Sequence, residues 1–112
     1  MSKTIYIAGK MSGEDDLNWP AFFRKEKELF AQGWDVVNPA RLDKESGLDP
    51  GRAMGEYDYT ECALRDVEAL LACDAVYFMA DWQHSRGASW ERALAKHENL
   101  RRFYEIPRVE DI

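Results

Sequence analysis

Short apolar runs and helical stripes take turns along this chain. Residues 3–9, KTIYIAG, form a β-rich run that stops at Gly9, and residues 10–16, KMSGEDD, have the small and polar character of a loop. Asn18 is placed to cap a helix with Pro20 in its first turn, where a missing N–H does no harm. Phe22, Phe23, Leu29 and Phe30 recur on one face of that helix, and Gly33 supplies its stop. WDVV, residues 34–37, predicts a second strand. Residues 38–58 contain Pro39, Gly47, Pro50, Gly51 and Gly55 with little periodicity, the pattern of a long functional loop. Asp58 and Glu61 have a capping-box offset at the head of a second helix, whose inward stripe is Ala63, Leu64, Val67, Leu70 and Leu71. DAVYFMA, residues 74–80, is a continuous apolar run suited to the middle of a parallel sheet. A third helix follows in HSRGASWERALAKHE, residues 84–98, and a weak fourth strand lies near residues 101–106.

Strands that alternate with helices predict an α/β protein with a flavodoxin-like or Rossmann-like parallel sheet of about four strands flanked by helices, in one domain over residues 1–112. No repeat or low-complexity tract interrupts it. Such sheets bind ligands outside the carboxyl ends of their strands, where strand order reverses. Three loops would converge there, residues 9–18, 38–58 and 80–87.

The third helix contains a conflict. Ala88, Leu94 and Ala95 form its apolar stripe, and Glu91 falls inside that stripe. A carboxylate that only complemented the helix dipole would serve equally well from the solvent face. On the sheet-facing side, one turn into the helix that leaves residues 80–87, it looks into the ligand crevice. There the helix N-terminus is expected to keep it ionised, as a nucleophile requires. Asp66 flanks the apolar stripe of the second helix beside Ala63 and Leu70. Desolvation there is expected to raise its pKa, so that it can remain an acid near neutrality. Tyr6 alternates with Ile5 and Ile7 near the carboxyl end of the first strand. As residues alone, Asp66 reads equally as a solvated helix side chain, and Tyr6 more often as a core aromatic with a satisfied hydroxyl. Ser85 is placed as a helix cap, a phosphate ligand or both. Gly9, Lys10, Ser12 and Gly13 form a glycine-flanked, lysine-bearing loop that is not a P-loop. His84 has no recognisable partner, and Trp82 and Trp90 suit aromatic packing more than base stacking.

Composition narrows the partners. A formal net charge of -6 lacks the basic face that nucleic-acid polymers or anionic membranes require, while leaving room for a small anionic ligand. No apolar run has the length of a membrane span or signal peptide, which predicts a cytoplasmic protein. Cys62 and Cys73 lack metal-site spacing and read as buried, reduced thiols.

TIYIAG at the first strand, Asp66 ahead of the CDAVYF strand, and the Ser85-x-Gly87-x-x-x-Glu91 segment together resemble the nucleoside 2-deoxyribosyltransferase superfamily. That group includes 2'-deoxynucleoside 5'-monophosphate N-glycosidases and small uncharacterised, often phage-encoded, domains; in length and loop wording this chain is most similar to the last set. The resemblance spans residues 3 to about 98. It implies that Glu91 attacks C1' of a deoxyribose, that Tyr6 orients Glu91, and that Asp66 assists departure of the base. It implies that Ser85, with Gly87 and the loop of Gly9, Lys10, Ser12 and Gly13, binds substrate or its phosphate. Transferases usually carry an aspartate where Ser85 stands. In the hydrolases the first loop is richer in glycine and serine and includes an arginine, whereas here Lys10, Met11 and Ser12 intervene. The implied ligand is a small nucleotide or nucleoside, the implied assembly a homodimer or larger through the second helix or residues 38–58, and no metal or organic cofactor is required. Alternative readings are a deoxyribosyltransferase, a nucleotide-binding protein without turnover, and glycohydrolysis of a dinucleotide such as NAD.

Overall fold

The computed structural model describes residues 3–11, 13–49 and 56–106, and of residues 56–60 only the backbone. Within them a four-stranded sheet runs in the order β2-β1-β3-β4, all parallel, with β1 at Lys3–Ala8, β2 at Trp34–Val37, β3 at Ala75–Phe78 and β4 at Arg101–Tyr104. The chain first steps from β1 outward to β2, then crosses back over β1 to β3. Strand order therefore reverses between β1 and β3, the expected flavodoxin-like arrangement. Tyr6 pairs with Val37 on one side and Val76 on the other, so it stands at the centre of this reversal.

The period of two along β1 divides the core. Ile5 and Ile7 join Phe22, Leu29, Ala40, Ala75 and Met79 on one face of the sheet. Tyr6 and Ala8 join Leu70, Val76, Phe78, Ala88 and Ala95 on the other. The first face is covered by α1 (Trp19–Ala31), with α2 (Pro39–Glu45) packed beside it; the second by α3 (Glu56–Leu71) and α4 (Arg86–His97). Central strands apolar on both faces are what a doubly covered parallel sheet requires.

Several local expectations are corrected. Asn18 precedes α1 but does not cap it with its side chain. Asp16, Leu17 and Asn18 are successive left-handed residues (φ 51, 53 and 60°), and Asn18 Nδ2 instead donates to the Lys10 carbonyl at 2.9 Å. The segment 38–58 is not structureless: Asn38 caps α2 by accepting from the Ala40 N–H at 2.9 Å, with Pro39 in the first turn. A helix is already running at Glu56, so Asp58 lies within α3 and does not begin it. Leu64 and Leu71 are exposed, because the stripe that faces the sheet runs through Ala63, Val67 and Leu70. Phe30 is exposed as well, because the side of α1 that meets the sheet runs through Phe22 and Leu29.

Phe22 and Phe30 share a helix but differ in burial, at 0% and 70% exposure. Phe22→Ala should cost about 3–5 kcal/mol in chemical denaturation, and Phe30→Ala no more than about 0.5 kcal/mol. Equal losses would mean that the helix is rotated from the position described.

Candidate functional site

At the carboxyl ends of β1 and β3, the middle of α3 and the first three turns of α4 border a cavity of about 770 Å³. Its walls come from β1 (Tyr6, Ile7), the following loop (Gly9, Lys10, Met11), Leu17, α2 (Pro39, Asp43), α3 (Cys62, Ala63, Asp66, Val67) and the turn and helix from His84 to Leu94. The crossover topology dictates this location: helices leaving the strand ends on either side of the reversal cannot both cover the gap.

Ser85 builds the start of α4. Its extended backbone (φ −111°, ψ 122°) and its Oγ, which accepts from the Ala88 N–H at 3.1 Å, make it the N-cap. A capping hydroxyl keeps its own hydrogen, so Ser85 still has a donor at the cavity. From that cap the helical repeat carries Ala88, Glu91 and Ala95 along one side. The two alanines are sealed against the sheet, while Glu91 is only half-buried and faces the cavity.

Glu91 meets Tyr6 there. The Tyr6 hydroxyl, 1% exposed at the residue level, donates to the Glu91 carboxyl, and Asp66 is close enough to both for its charge to be felt. Burial pushes Glu91 from the ordinary 4.5 up to about 8; the Tyr6 hydrogen bond opposes the rise and the Asp66 charge adds to it. Burial likewise lifts Asp66 from 3.8 to about 6, opposed by Arg65, which hydrogen-bonds it, and assisted by the charge of Asp43. Tyr6 is pushed well above 10 by burial and by the two carboxylates. The expected rise at Asp66 is therefore present. The expected retention of charge by Glu91 is not. Glu91 lies in the second turn of α4, beyond the reach of the helix end, and desolvation outweighs what the dipole supplies. Of the two carboxyls Glu91 is therefore the one that keeps its proton to the higher pH.

Other predicted residues divide. Gly9, Lys10, Ser85 and Gly87 line the cavity with Tyr6, Asp66 and Glu91. Gly9 has a packing reason to be glycine: a Cβ there would come within 3.1 Å of Met79 and 3.2 Å of Phe22. Lys10 pairs with Glu14 at 3.4 Å, which tempers it as an anion ligand. Gly13 is exposed, with φ +82°, and does not line the cavity; its turn conformation explains it. Ser12 lies outside the described residues. Trp82 packs against Phe78 and Tyr104, whereas Trp90 stands exposed at the rim with Arg86 5.9 Å from its ring. Both cysteines are free, but Cys62 is a cavity wall and not core; burial raises its thiol to about 11, which keeps it protonated.

Asp43 and Arg65 are site residues that the sequence pattern did not bring forward. Asp43 is buried (5% exposed), and Arg65 reaches it at 2.5 Å and Asp66 at 2.8 Å. The available signal was Asn38-Pro39, a helix start that would have placed Asp43 in the second turn of α2 beside the crevice.

Fold and site together define a doubly wound α/β protein with a carboxyl-lined crevice at its switch point. The model of a domain of unknown function, DUF4406, matches residues 3–104, and the chain belongs to this family. Among curated proteins nothing matches the chain. No helix among the described residues is long and apolar enough to cross a membrane.

Linkage gives the site a stability signature. The folded chain holds a proton on Glu91 that the unfolded chain releases above about 4.5, so stability falls as pH rises from there and the loss is complete above about 8. Asp66 acts with the same sign between 3.8 and about 6. Glu91→Gln, which cannot ionise, should gain about 2–4 kcal/mol on wild type between pH 5 and pH 9. A difference that does not change with pH would mean that Glu91 titrates as in water.

Proposed function

We propose that this protein is an N-glycosidase that cleaves the base–deoxyribose bond of a 2'-deoxynucleoside 5'-monophosphate in the cytoplasm, through a glutamyl–deoxyribosyl intermediate. The observation that carries the reading is one cavity holding Glu91, hydrogen-bonded by buried Tyr6, together with a second carboxyl, Asp66. The resemblance of the Ser85-to-Glu91 segment and of TIYIAG to the nucleoside 2-deoxyribosyltransferase superfamily is what gives these residues their roles in the reading.

In the first step a Glu91 oxygen bonds to C1' as the C1'–N bond breaks, and the base takes that electron pair and the proton of Asp66. Water then attacks C1', returns a proton to Asp66, and releases the sugar phosphate and the Glu91 carboxylate. The reactive form needs the proton on Asp66. With Glu91 at about 8 and Asp66 at about 6, that form has its proton on the more acidic group and is a minor one in the free protein at pH 7. Positive charge developing at C1' favours ionised Glu91 and so draws the pair toward it.

A 5'-phosphate suits the mouth of the cavity. Ser85 offers a hydroxyl without charge beside the α4 N-terminus; Arg86 on α4 and Lys10 on the loop after β1 also line the cavity. An aspartate at position 85, as in transferases, would repel the phosphate by roughly 4 kcal/mol at about 4 Å and an effective dielectric of 20. A second reading is binding without turnover. It is favoured by the proton on Glu91, which makes the carboxyl a hydrogen-bond donor to a ligand and not a nucleophile.

The second copy of this chain is the proposed macromolecular partner. α3 exposes Leu64 and Leu71 in alternation with Glu61 and Glu68, and neighbouring α4 exposes Trp90 with Arg86, Lys96 and His97 toward its ends. Two copies related by a twofold axis would set each acidic leucine stripe against the partner's basic, tryptophan-bearing one. Light scattering should return about twice 13.0 kDa, and Trp90→Ala should shift it toward the monomer. A monomer at high micromolar concentration removes the dimer.

Incubation with a panel of deoxynucleotides and deoxynucleosides, followed by chromatography for free base, tests the activity. Wild type should release base with a kcat/KM that is bell-shaped between pH about 6 and about 8. Glu91→Ala and Glu91→Gln should release none. Monophosphates should exceed their nucleosides, and Ser85→Asp should lower monophosphate use more than nucleoside use. Preference for nucleosides moves the protein to transfer, and tight binding with no cleavage moves it to the binding reading.

A further inference from the structure

Asp66 is held unevenly. Arg65 donates from Nε at 3.2 Å and from Nη2 at 2.8 Å, and both bonds end on the same oxygen, Oδ1. The guanidinium thus leaves Oδ2 to other partners. Nη2 is also 2.5 Å from Asp43 Oδ1 on α2, so a single nitrogen bridges two carboxylates. Adjacent residues of a helix diverge by about 100° and do not ordinarily face each other. Arg65 must therefore fold back along α3 to reach its neighbour. Tying α2 to α3 would need only the Asp43–Arg65 contact; it gives no reason for two further bonds to Asp66.

We propose that Asp43 and Arg65 form a positioning pair for Asp66: Asp43 anchors the guanidinium, the guanidinium occupies Oδ1, and Oδ2 becomes the oxygen through which the proton passes to the departing base. The last clause rests on the glycosidase reading; the hold on Asp66 does not. The proton leaves Oδ2 for a base nitrogen as C1'–N breaks and is replaced from water, while Arg65 stays charged throughout. Opposed charges make the pair adjustable. Arg65 favours ionised Asp66, and Asp43 counteracts it directly and by sharing the guanidinium. Among the described residues, the other ionisable groups whose charge couples to Asp66 are Tyr6 on β1, Glu91 on α4 and Cys62 on its own helix. All are unchanged in the variants below.

Carbon-detected NMR titration of the Asp66 carboxyl in the full chain separates these effects without using activity. Asp43→Asn should lower the Asp66 midpoint by about one pH unit and Arg65→Met should raise it by about one. Arg65→Lys keeps the charge but not the two-donor grip. It should hold the midpoint near wild type while lowering kcat about tenfold at unchanged KM. Should Arg65→Met fail to fold, the Asn and Lys variants decide alone. Shifts in the same direction, or none, overturn the proposal whatever the enzyme cleaves. Opposite shifts in a protein that cleaves no nucleotide preserve the hold on Asp66 and remove only the proton route to a base.

Discussion

A carboxyl group placed between a helix and a sheet must be given a hydrogen bond, a partner charge or a proton, because an isolated ionised carboxylate in such a place costs far more than a domain's net stability. Glu91 receives the first and keeps the third. Tyr6 supplies the hydrogen bond from the central strand, and that position is possible only because β1 is flanked on both sides by parallel partners. Burial makes ionised Glu91 costly and the charge of Asp66 adds to that cost, while Arg65 offsets part of the burial cost at Asp66. The α4 cap and the α2 anchor hold these groups around one cavity.

The strands and their order were legible because apolar runs at 3–9, 34–37 and 74–80 have no other stable use than a covered parallel sheet. Glu91 was legible for a related reason, since a charge within a helical stripe conflicts with burial and must be explained. Ser85 was legible as a cap from its place before the stripe. In each case the signal is local.

What was missed depends on distance or competition. Helix α2 has only seven residues, too few for a period to emerge, although its Asn-Pro start was present. Phe30, Leu64 and Leu71 fit a helical face within a few tens of degrees, but the sheet contact is narrower than the apolar stripe. Asp43 and Arg65 stand 22 residues apart, and no periodicity links them. The protonation of Glu91 turned on a comparison of magnitudes. A helix end contributes a fraction of a kcal/mol to about 1 kcal/mol within one turn, and desolvation of a carboxyl can exceed that severalfold.

On the proposed reading Glu91, not Asp66, forms the bond to the sugar. Rapid acid quenching during turnover of a deoxynucleoside 5'-monophosphate, with proteolysis and mass spectrometry of the peptides, tests it directly. The account predicts a deoxyribose-phosphate adduct on the peptide carrying Glu91, absent in Glu91→Gln. An adduct on Asp66, or full-rate base release from the Glu91→Gln variant, would contradict it.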